Sequence, residues 1–143
     1  MYTACYVGLN KYNQMLYDRV MDTFDKLPVA CILNGKFFCV HGGISPDIVS
    51  LQEVTKLNRF TEIPKKGMFC DMMWSDPVDN TDGHSDSPFK FNDVRGCSYF
   101  FGYNPVKTFL EKTKCLSVIR AHEAQAEGFK MYKWNGAAYF PVV

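Results

Sequence analysis

The sequence lacks a charge excess, a long apolar run and a recognisable leader. Its 16 Lys and Arg residues nearly balance its 15 Asp and Glu residues, so the formal net charge is +1. This balance excludes a protein that binds nucleic acid or a membrane surface by bulk charge. No stretch approaches the ~18 apolar residues that a transmembrane helix needs, and the chain does not begin with a basic segment followed by an apolar one. We therefore expect no nucleic-acid partner, no membrane contact and a cytoplasmic location.

The 6 cysteines contain no CxxC pair, which excludes a zinc ribbon and a thioredoxin-type motif. Without a secretory leader, buried reduced thiols are favoured over disulfides. Two apolar runs, 29–33 and 36–40, flank an Asn-Gly pair, a pattern typical of a hairpin with a two-residue turn. Such a turn places Cys31 opposite Phe38. Cys31 and Cys39 are then expected on opposite faces of the sheet, where they cannot bridge.

Apolar residues recur at helical spacing between residues 9 and 24, which predicts a helix whose apolar stripe lies in the core. Capping and turn patterns predict, in chain order, a helix from Ser50, a polar loop over 75–93, a helix from Asn104 to Lys114, a strand over 116–120 and a hairpin over 129–143. This mixture of helices and strands predicts an α/β fold of the α+β kind.

Three stretches carry residues suited to chemistry. Two of the predicted strands are each followed by a histidine. His41 follows the strand over 36–40 and precedes a pair of glycines, and His122 follows the strand over 116–120. The end of a strand is a rigid base for a metal-binding imidazole. Arg95 precedes a glycine, a setting that suits bidentate capture of phosphate. Each residue has an ordinary alternative, because a single histidine is more often only hydrogen-bonded and a single arginine is more often a surface ion pair.

Two further features have plain structural interpretations. Trp74 is most simply a core or rim aromatic. The acidic residues of the 75–93 loop lack the spacing and the terminal glutamate of a calcium-binding EF-hand, so we interpret them as a solvated loop, His84 included.

Several motifs, taken together and in order, resemble the metal-dependent serine/threonine phosphoprotein phosphatase family, and most closely its calcineurin (protein phosphatase 2B) catalytic subunits. The resemblance covers almost the whole chain. The motifs are Val-His-Gly-Gly-Ile-Ser-Pro-Asp at 40–47, Cys-Asp-Met-Met-Trp-Ser-Asp-Pro at 70–77, Arg-Gly-Cys-Ser-Tyr-Phe-Phe at 95–101 and Arg-Ala-His-Glu-Ala-Gln at 120–125.

The resemblance implies a role for each matching residue. His41 and His122 match two ligands of the second metal in a dinuclear site, Arg95 matches a residue that grips the substrate phosphate, and Trp74 matches a residue lining the substrate groove. The implied reaction is hydrolysis of phosphoserine and phosphothreonine by a metal-activated water, with two ions of iron, zinc or manganese. The implied substrates are phosphoproteins, and a regulatory subunit and calmodulin are implied partners of a full-length parent.

The family's Gly-Asp-x-His-Gly, Gly-Asp-x-Val-Asp-Arg-Gly and Gly-Asn-His-Glu motifs are absent from this sequence. The resemblance therefore implies that residues 1–143 are the C-terminal portion of the catalytic domain, truncated at both ends, and an incomplete part of its four-layer αββα sandwich. We expect the chain alone to be inactive. The alternative is a non-catalytic protein-binding module or pseudophosphatase, but the joint presence of His41, Arg95 and His122 favours the enzyme.

Overall fold

The structure, a computed structural model, describes residues 9–78, 88–134 and 137–142, with only the backbone described from residue 133 onward. The described elements are α1 (Gln14–Lys26), β1 (Ala30–Leu33), β2 (Phe37–Val40), α2 (Leu51–Thr55), α3 (Met68–Trp74), β3 (Asp76–Pro77), β4 (Lys90–Phe91), β5 (Tyr99–Phe101), α4 (Tyr103–Thr113), β6 (Ser117–Arg120), β7 (Lys130–Trp134) and β8 (Ala137–Val142). They confirm the predicted mixed α/β fold. None of the helices in the described part of the chain has the length and apolarity that a bilayer crossing requires.

The chain divides into two compact units. The first contains residues 1–28 and 58–62, and the second contains residues 29–57 and 63–143. The first unit holds α1, and the second holds every strand that the structure describes. The residues predicted to do chemistry all belong to the second unit.

Helix α1 begins after Asn13, whose side chain accepts a hydrogen bond from the Leu16 amide at 2.9 Å. Part of the predicted apolar stripe lies on this helix, whereas Leu9 and Tyr12 precede it. The predicted place of the stripe in the core is wrong. Leu16, Val20 and Phe24 are each more than 40% exposed, and none of the described α1 residues is buried. Helical periodicity identifies the side chains that share a face, but it does not supply the surface that covers them.

The larger sheet of the second unit has the strand order β1-β2-β6-β8-β7. Strands β2 and β6 are parallel neighbours, with Val40 paired to Arg120 at their ends. Alternate residues of both strands, Phe38, Val40, Val118 and Arg120, are buried. Because the carboxyl ends of parallel strands meet at one edge, the residues that follow β2 and β6 come together in space.

The first hairpin forms where predicted, but its register differs from the prediction. Leu33 pairs with Phe37, so the turn has three residues rather than two, and Cys31 pairs directly with Cys39. The Lys36 amide donates to the Leu33 carbonyl at 3.0 Å, a β-turn bond within this longer turn. The prediction that the two thiols lie on opposite faces is therefore wrong. Cys31 is also exposed, which corrects the expectation that the cysteines are buried.

The predicted helices form with shifted ends. Helix α2 begins after Ser50 as predicted, although the Ser50 side chain makes no capping bond. Helix α4 has Gly102 as its N-cap, so that Asn104 lies inside the first turn instead of capping it. The helix ends at Thr113, and its C-cap, Lys114, has a left-handed φ of 60°. Strands β7 and β8 form the second hairpin as predicted.

The predicted 75–93 loop is partly strand. Residues 76–77 and 90–91 form β3 and β4, which flank β5 in a three-stranded sheet. Residues 79–87, including His84, lie outside the described part of the chain. Sequence patterning missed β3 and β4 because a two-residue strand is too short to show alternation.

The core of the second unit gathers side chains from both sheets and from α3 and α4. Phe38 of β2 packs against Phe109 of α4, with ring centroids 5.0 Å apart. Met72 of α3, Phe101 of β5 and Val118 of β6 are fully buried in the same cluster. This packing gives the ends of β2 and β6 a rigid base.

Candidate active site

His41 and His122, far apart in the chain, lie side by side at the ends of β2 and β6. The His122 Nδ1 and His41 Nε2 atoms are 3.0 Å apart. The backbone continues the pairing of the two strands, because the Ala121 amide donates to the His41 carbonyl at 3.0 Å. The sequence predicted both histidines at strand ends, and the parallel pairing of β2 with β6 brings them together.

Both imidazoles are held in the neutral form. Burial lowers the pKa of His122 to about 4, and the positive charge of Arg95 acts in the same direction. Burial, followed by the charges of Arg120 and Arg95, also lowers the pKa of His41. A neutral imidazole keeps a lone pair available, which is the form that binds a metal ion.

The surroundings of His122 fix its ring. His122 has a left-handed φ of 71°, an uncommon conformation for a residue other than glycine. The indole of Trp74 meets the His122 ring edge-on, with centroids 5.4 Å apart and an interplanar angle of 84°. The Nε2 atom of His122 is buried and has no hydrogen-bond partner, and the nearest carboxylate oxygen, Oδ1 of Asp76, is 3.9 Å away.

The two glycines after His41 are needed for space. A Cβ on Gly42 would lie 2.6 Å from the Met73 carbonyl carbon and 2.7 Å from the Trp74 amide nitrogen. A Cβ on Gly43 would lie 2.4 Å from the Phe101 ring. These distances are below any normal carbon contact, so no side chain fits there. The glycines let the β2 end pack directly on α3, and the Gly42 amide donates to the Met72 carbonyl at 2.8 Å.

Asp76 accepts hydrogen bonds from both arginines of the site. Its Oδ2 accepts from Arg95 Nε and from Asn92 Nδ2, each at 2.9 Å, and its Oδ1 accepts from Arg120 Nη2 at 2.8 Å. Burial alone would raise the pKa of Asp76. The hydrogen bonds from Arg95 and Asn92 and the Arg120 charge outweigh that effect and hold the pKa below its usual value. Asp76 therefore stays ionised and orients both guanidinium groups.

Arg120 is the most buried charged residue of this network, at 1% exposure. Its guanidinium donates to the Gly42 carbonyl, to the Ser75 carbonyl and to the carboxylates of Asp76 and Glu123. It joins β6 to the backbone just after β2, at Gly42, and just after α3, at Ser75. Arg95 is more accessible, with 27% of its side chain exposed, so it is the guanidinium able to meet an anion from solution.

The donor set fits part of a metal site. Two lone pairs facing each other at 3.0 Å repel unless a proton or a cation lies between them. Two nitrogens that bind one zinc ion at ~2.0–2.1 Å lie about 3.3 Å apart in tetrahedral geometry, close to the observed separation. Among the described residues, no third carboxylate, thiol or imidazole completes a metal-binding group. His41 and His122 therefore fit one edge of a metal site and would need further ligands to bind an ion tightly.

Comparison with known proteins identifies the arrangement. The calcineurin-like phosphoesterase profile matches residues 4–126, most of the chain. The chain belongs to the calcineurin-like phosphoesterase family. Members of this family are metal-dependent, in accord with the paired imidazoles.

Relatives of the chain within the calcineurin-like phosphoesterase family are serine/threonine-protein phosphatases. The chain is 45% identical over 141 residues to the phosphatase 2B catalytic subunit A1 of Saccharomyces cerevisiae, covering 93% of this chain and 26% of that protein. It is 41% identical over 123 residues to the phosphatase 4 catalytic subunit of Kluyveromyces lactis, covering 85% and 38%. The chain thus spans between about a quarter and two fifths of the length of these relatives.

A solved structure shows the same fold. A protein serine/threonine phosphatase from Saccharomyces cerevisiae, described as similar to human phosphatase PP5, superimposes with a TM-score of 0.80 at 23% identity. The match covers 95% of this chain and 40% of that structure. The fold predicted from the family motifs is therefore confirmed for this part of the domain.

The structure also reveals polar residues of this calcineurin-like phosphoesterase site that pattern analysis missed. Asp76, Asn92, Arg120 and Glu123 surround the predicted residues. A signal for three of them was present, since Asp76, Arg120 and Glu123 each lie inside a family motif that also contains a predicted site residue. Asn92 had no such signal, because only the folding of β4 against β5 brings it to Asp76.

Proposed function

We propose that residues 1–143 are the C-terminal portion of a protein serine/threonine phosphatase catalytic domain. The substrate class is phosphoserine and phosphothreonine in proteins. The observation that carries the proposal is the 3.0 Å approach of His41 Nε2 to His122 Nδ1, with Arg95 close enough to lower the pKa of both imidazoles. Neutral nitrogen ligands beside a partly exposed guanidinium suit a phosphate ester held at a metal.

Each of the predicted site residues has a distinct part in this proposal. His41 and His122 are ligands of the second metal of a dinuclear site. Arg95, oriented by Asp76, donates to the oxygens of the substrate phosphate as negative charge develops on them. Trp74 lies against His122, is 37% exposed and lines the substrate groove. The metal ions, which we propose to be iron, zinc or manganese, supply Lewis acidity and an activated water when bound.

The remaining ligands must come from outside the described residues, because two imidazoles alone are fewer than the three protein ligands usual in a catalytic site. We therefore propose that this polypeptide has no phosphatase activity by itself. We also propose that the complete protein acts in the cytoplasm on phosphoproteins, with a regulatory subunit and calmodulin as partners. The 45% identity to a phosphatase 2B catalytic subunit supports this assignment.

The test is to isolate the protein from its own cells through peptides of this sequence, and to measure its intact mass and its hydrolysis of phosphopeptides. We expect a mass well above 16.4 kDa and hydrolysis that disappears in a His122→Asn or an Arg95→Ala variant. A His84→Asn variant is the matched control and is expected to keep full activity. A mass of 16.4 kDa without hydrolysis would overturn the proposal in favour of a non-catalytic binding module.

A further inference from the structure

Two cysteines of the first hairpin are placed to react with each other. Cys31 of β1 and Cys39 of β2 are direct cross-strand partners, so their side chains lie on the same face of the hairpin. Both are free thiols, Cys31 exposed and Cys39 half-buried. We propose that Cys31 and Cys39 are an oxidisable dithiol, a modification site that takes a peroxide as its oxidant and closes to a disulfide.

The backbone geometry permits this bond. Directly opposed residues in an antiparallel pair have Cα atoms ~4.5–5.5 Å apart, which lies inside the range of about 4.4–6.8 Å for disulfides. Their Cβ atoms, ~4.5–5.5 Å apart, must approach slightly to reach the usual ~3.5–4.5 Å. The hairpin turn is three residues long and lies two pairs away, so the approach does not require the strands to separate.

The two thiols differ in exposure, and this difference determines which of them reacts first with the peroxide. Cys31 is exposed, so its sulfur is the first that the peroxide reaches. The sulfur attacks one oxygen, the O–O bond breaks, and a sulfenic acid and one water form. Cys39 is half-buried and less accessible to the peroxide, so it remains reduced until Cys31 has reacted. Its sulfur then attacks the Cys31 sulfur, its proton leaves with the displaced hydroxide as the second water, and the disulfide forms.

The other described cysteines are less accessible to a peroxide. Cys70 is fully buried, and burial together with the neighbouring Cys97 raises its pKa to about 12. Cys115 is buried at 6% exposure. Because thiolate character and exposure govern oxidation, these thiols should react more slowly than Cys31. An exposed disulfide at Cys31 is also the kind that a thiol reductant readily opens, so the modification should be reversible.

Trypsin makes the test direct, because Lys36 lies between the two cysteines and every other cysteine falls on a different tryptic peptide. The reduced chain is treated with one equivalent of hydrogen peroxide, blocked with N-ethylmaleimide and digested without reduction. We expect a mass loss of about 2 Da for one disulfide. We also expect peptides 27–36 and 37–56 to be linked in at least about tenfold excess over any other pair.

Three variants and one condition complete the experiment. Cys31→Ser and Cys39→Ser should each remove the linked peptide, whereas Cys97→Ser, the matched control, should retain it. In guanidinium chloride the 31–39 link should form about tenfold more slowly, because unfolding removes the cross-strand juxtaposition. The proposal is overturned if the folded chain gives no 31–39 link, or gives it no faster than the denatured chain.

Discussion

Two regions of the molecule have regular sequence patterns: the strand ends that carry His41 and His122, and the helix α1. They differ in how far their side chains are buried. Beside these strand ends, Asp76 of β3 and Arg120 of β6 are at most 4% exposed and are hydrogen-bonded on several sides. On α1, the apolar stripe is more than 40% exposed at each of its central positions. The strand ends find their partners within this chain because β2 pairs with β6. The apolar stripe of a helix does not specify which surface covers it. Two equally regular sequence patterns therefore lead to different degrees of burial.

The largest contrast is expected between two phenylalanines. Phe38→Ala removes a ring that is 1% exposed and packed against Phe109, so we expect a loss of about 4 kcal/mol in the free energy of unfolding. Phe24→Ala on α1, the matched control, removes a ring that is 43% exposed and should cost less than about 1 kcal/mol. Urea denaturation measures both. Equal losses would show that the apolar side chains of α1 are buried to the same extent as those of the sheet.

Asp76→Ala is expected to have the next largest effect. It leaves the Arg120 guanidinium buried with Glu123 as its remaining carboxylate partner, so the loss should lie near about 3 kcal/mol, the lower end for a broken buried pair. The control Glu111→Ala removes an exposed pair with Lys107 and should change stability by less than about 0.5 kcal/mol. The same urea titrations compare them. A small effect of Asp76→Ala would remove the basis for assigning it as the organiser of the site.

Gly42→Ala should cost about 2 kcal/mol, because its Cβ would meet the backbone of α3, which cannot move aside easily. Gly35→Ala is the control. No heavy atom lies within 4 Å of its Cβ position, and its φ of 65° alone should cost about 1 kcal/mol. Thermal unfolding of the two variants checks the order. If Gly35→Ala proved the more damaging, the close packing of β2 on α3 would not matter for stability.

The smallest effect concerns pH. Asp71 is buried and accepts hydrogen bonds from Ser45 Oγ at 2.6 Å and Ser98 Oγ at 2.8 Å. Burial raises its pKa, and the hydrogen bonds offset this only in part. A carboxyl whose pKa is higher in the folded state binds more protons there, so its contribution to stability falls as the pH rises through that pKa.

Comparing the wild-type chain with Asp71→Asn isolates this contribution. The stability of the wild type relative to the variant should fall as the pH rises from 3.8, the ordinary pKa of the carboxyl, to above its raised pKa. Urea midpoints measured across this range test the sign. A relative stability that increased with pH would mean that the two serine hydroxyls outweigh burial.

The sequence allowed the fold class to be predicted, and the family motifs singled out His41, Arg95 and His122 as candidate site residues. Details that depend on tertiary contacts could not be predicted. The hairpin register shifted by one residue because the turn holds three residues, and no composition rule distinguishes that turn from a two-residue one. Asn92 joined the site only through the pairing of β4 with β5.

The most direct test of the central claim, that His41 and His122 form one edge of a metal site, is an NMR titration of the isotope-labelled chain with zinc. The sequence contains 3 histidines, so each imidazole can be assigned by substitution. We predict that the signals of His41 and His122 shift together and saturate together, that His122→Ala abolishes the response of His41, and that His84 is unaffected. Independent shifts of the two imidazoles, or a response of His84 as large as theirs, would contradict the account.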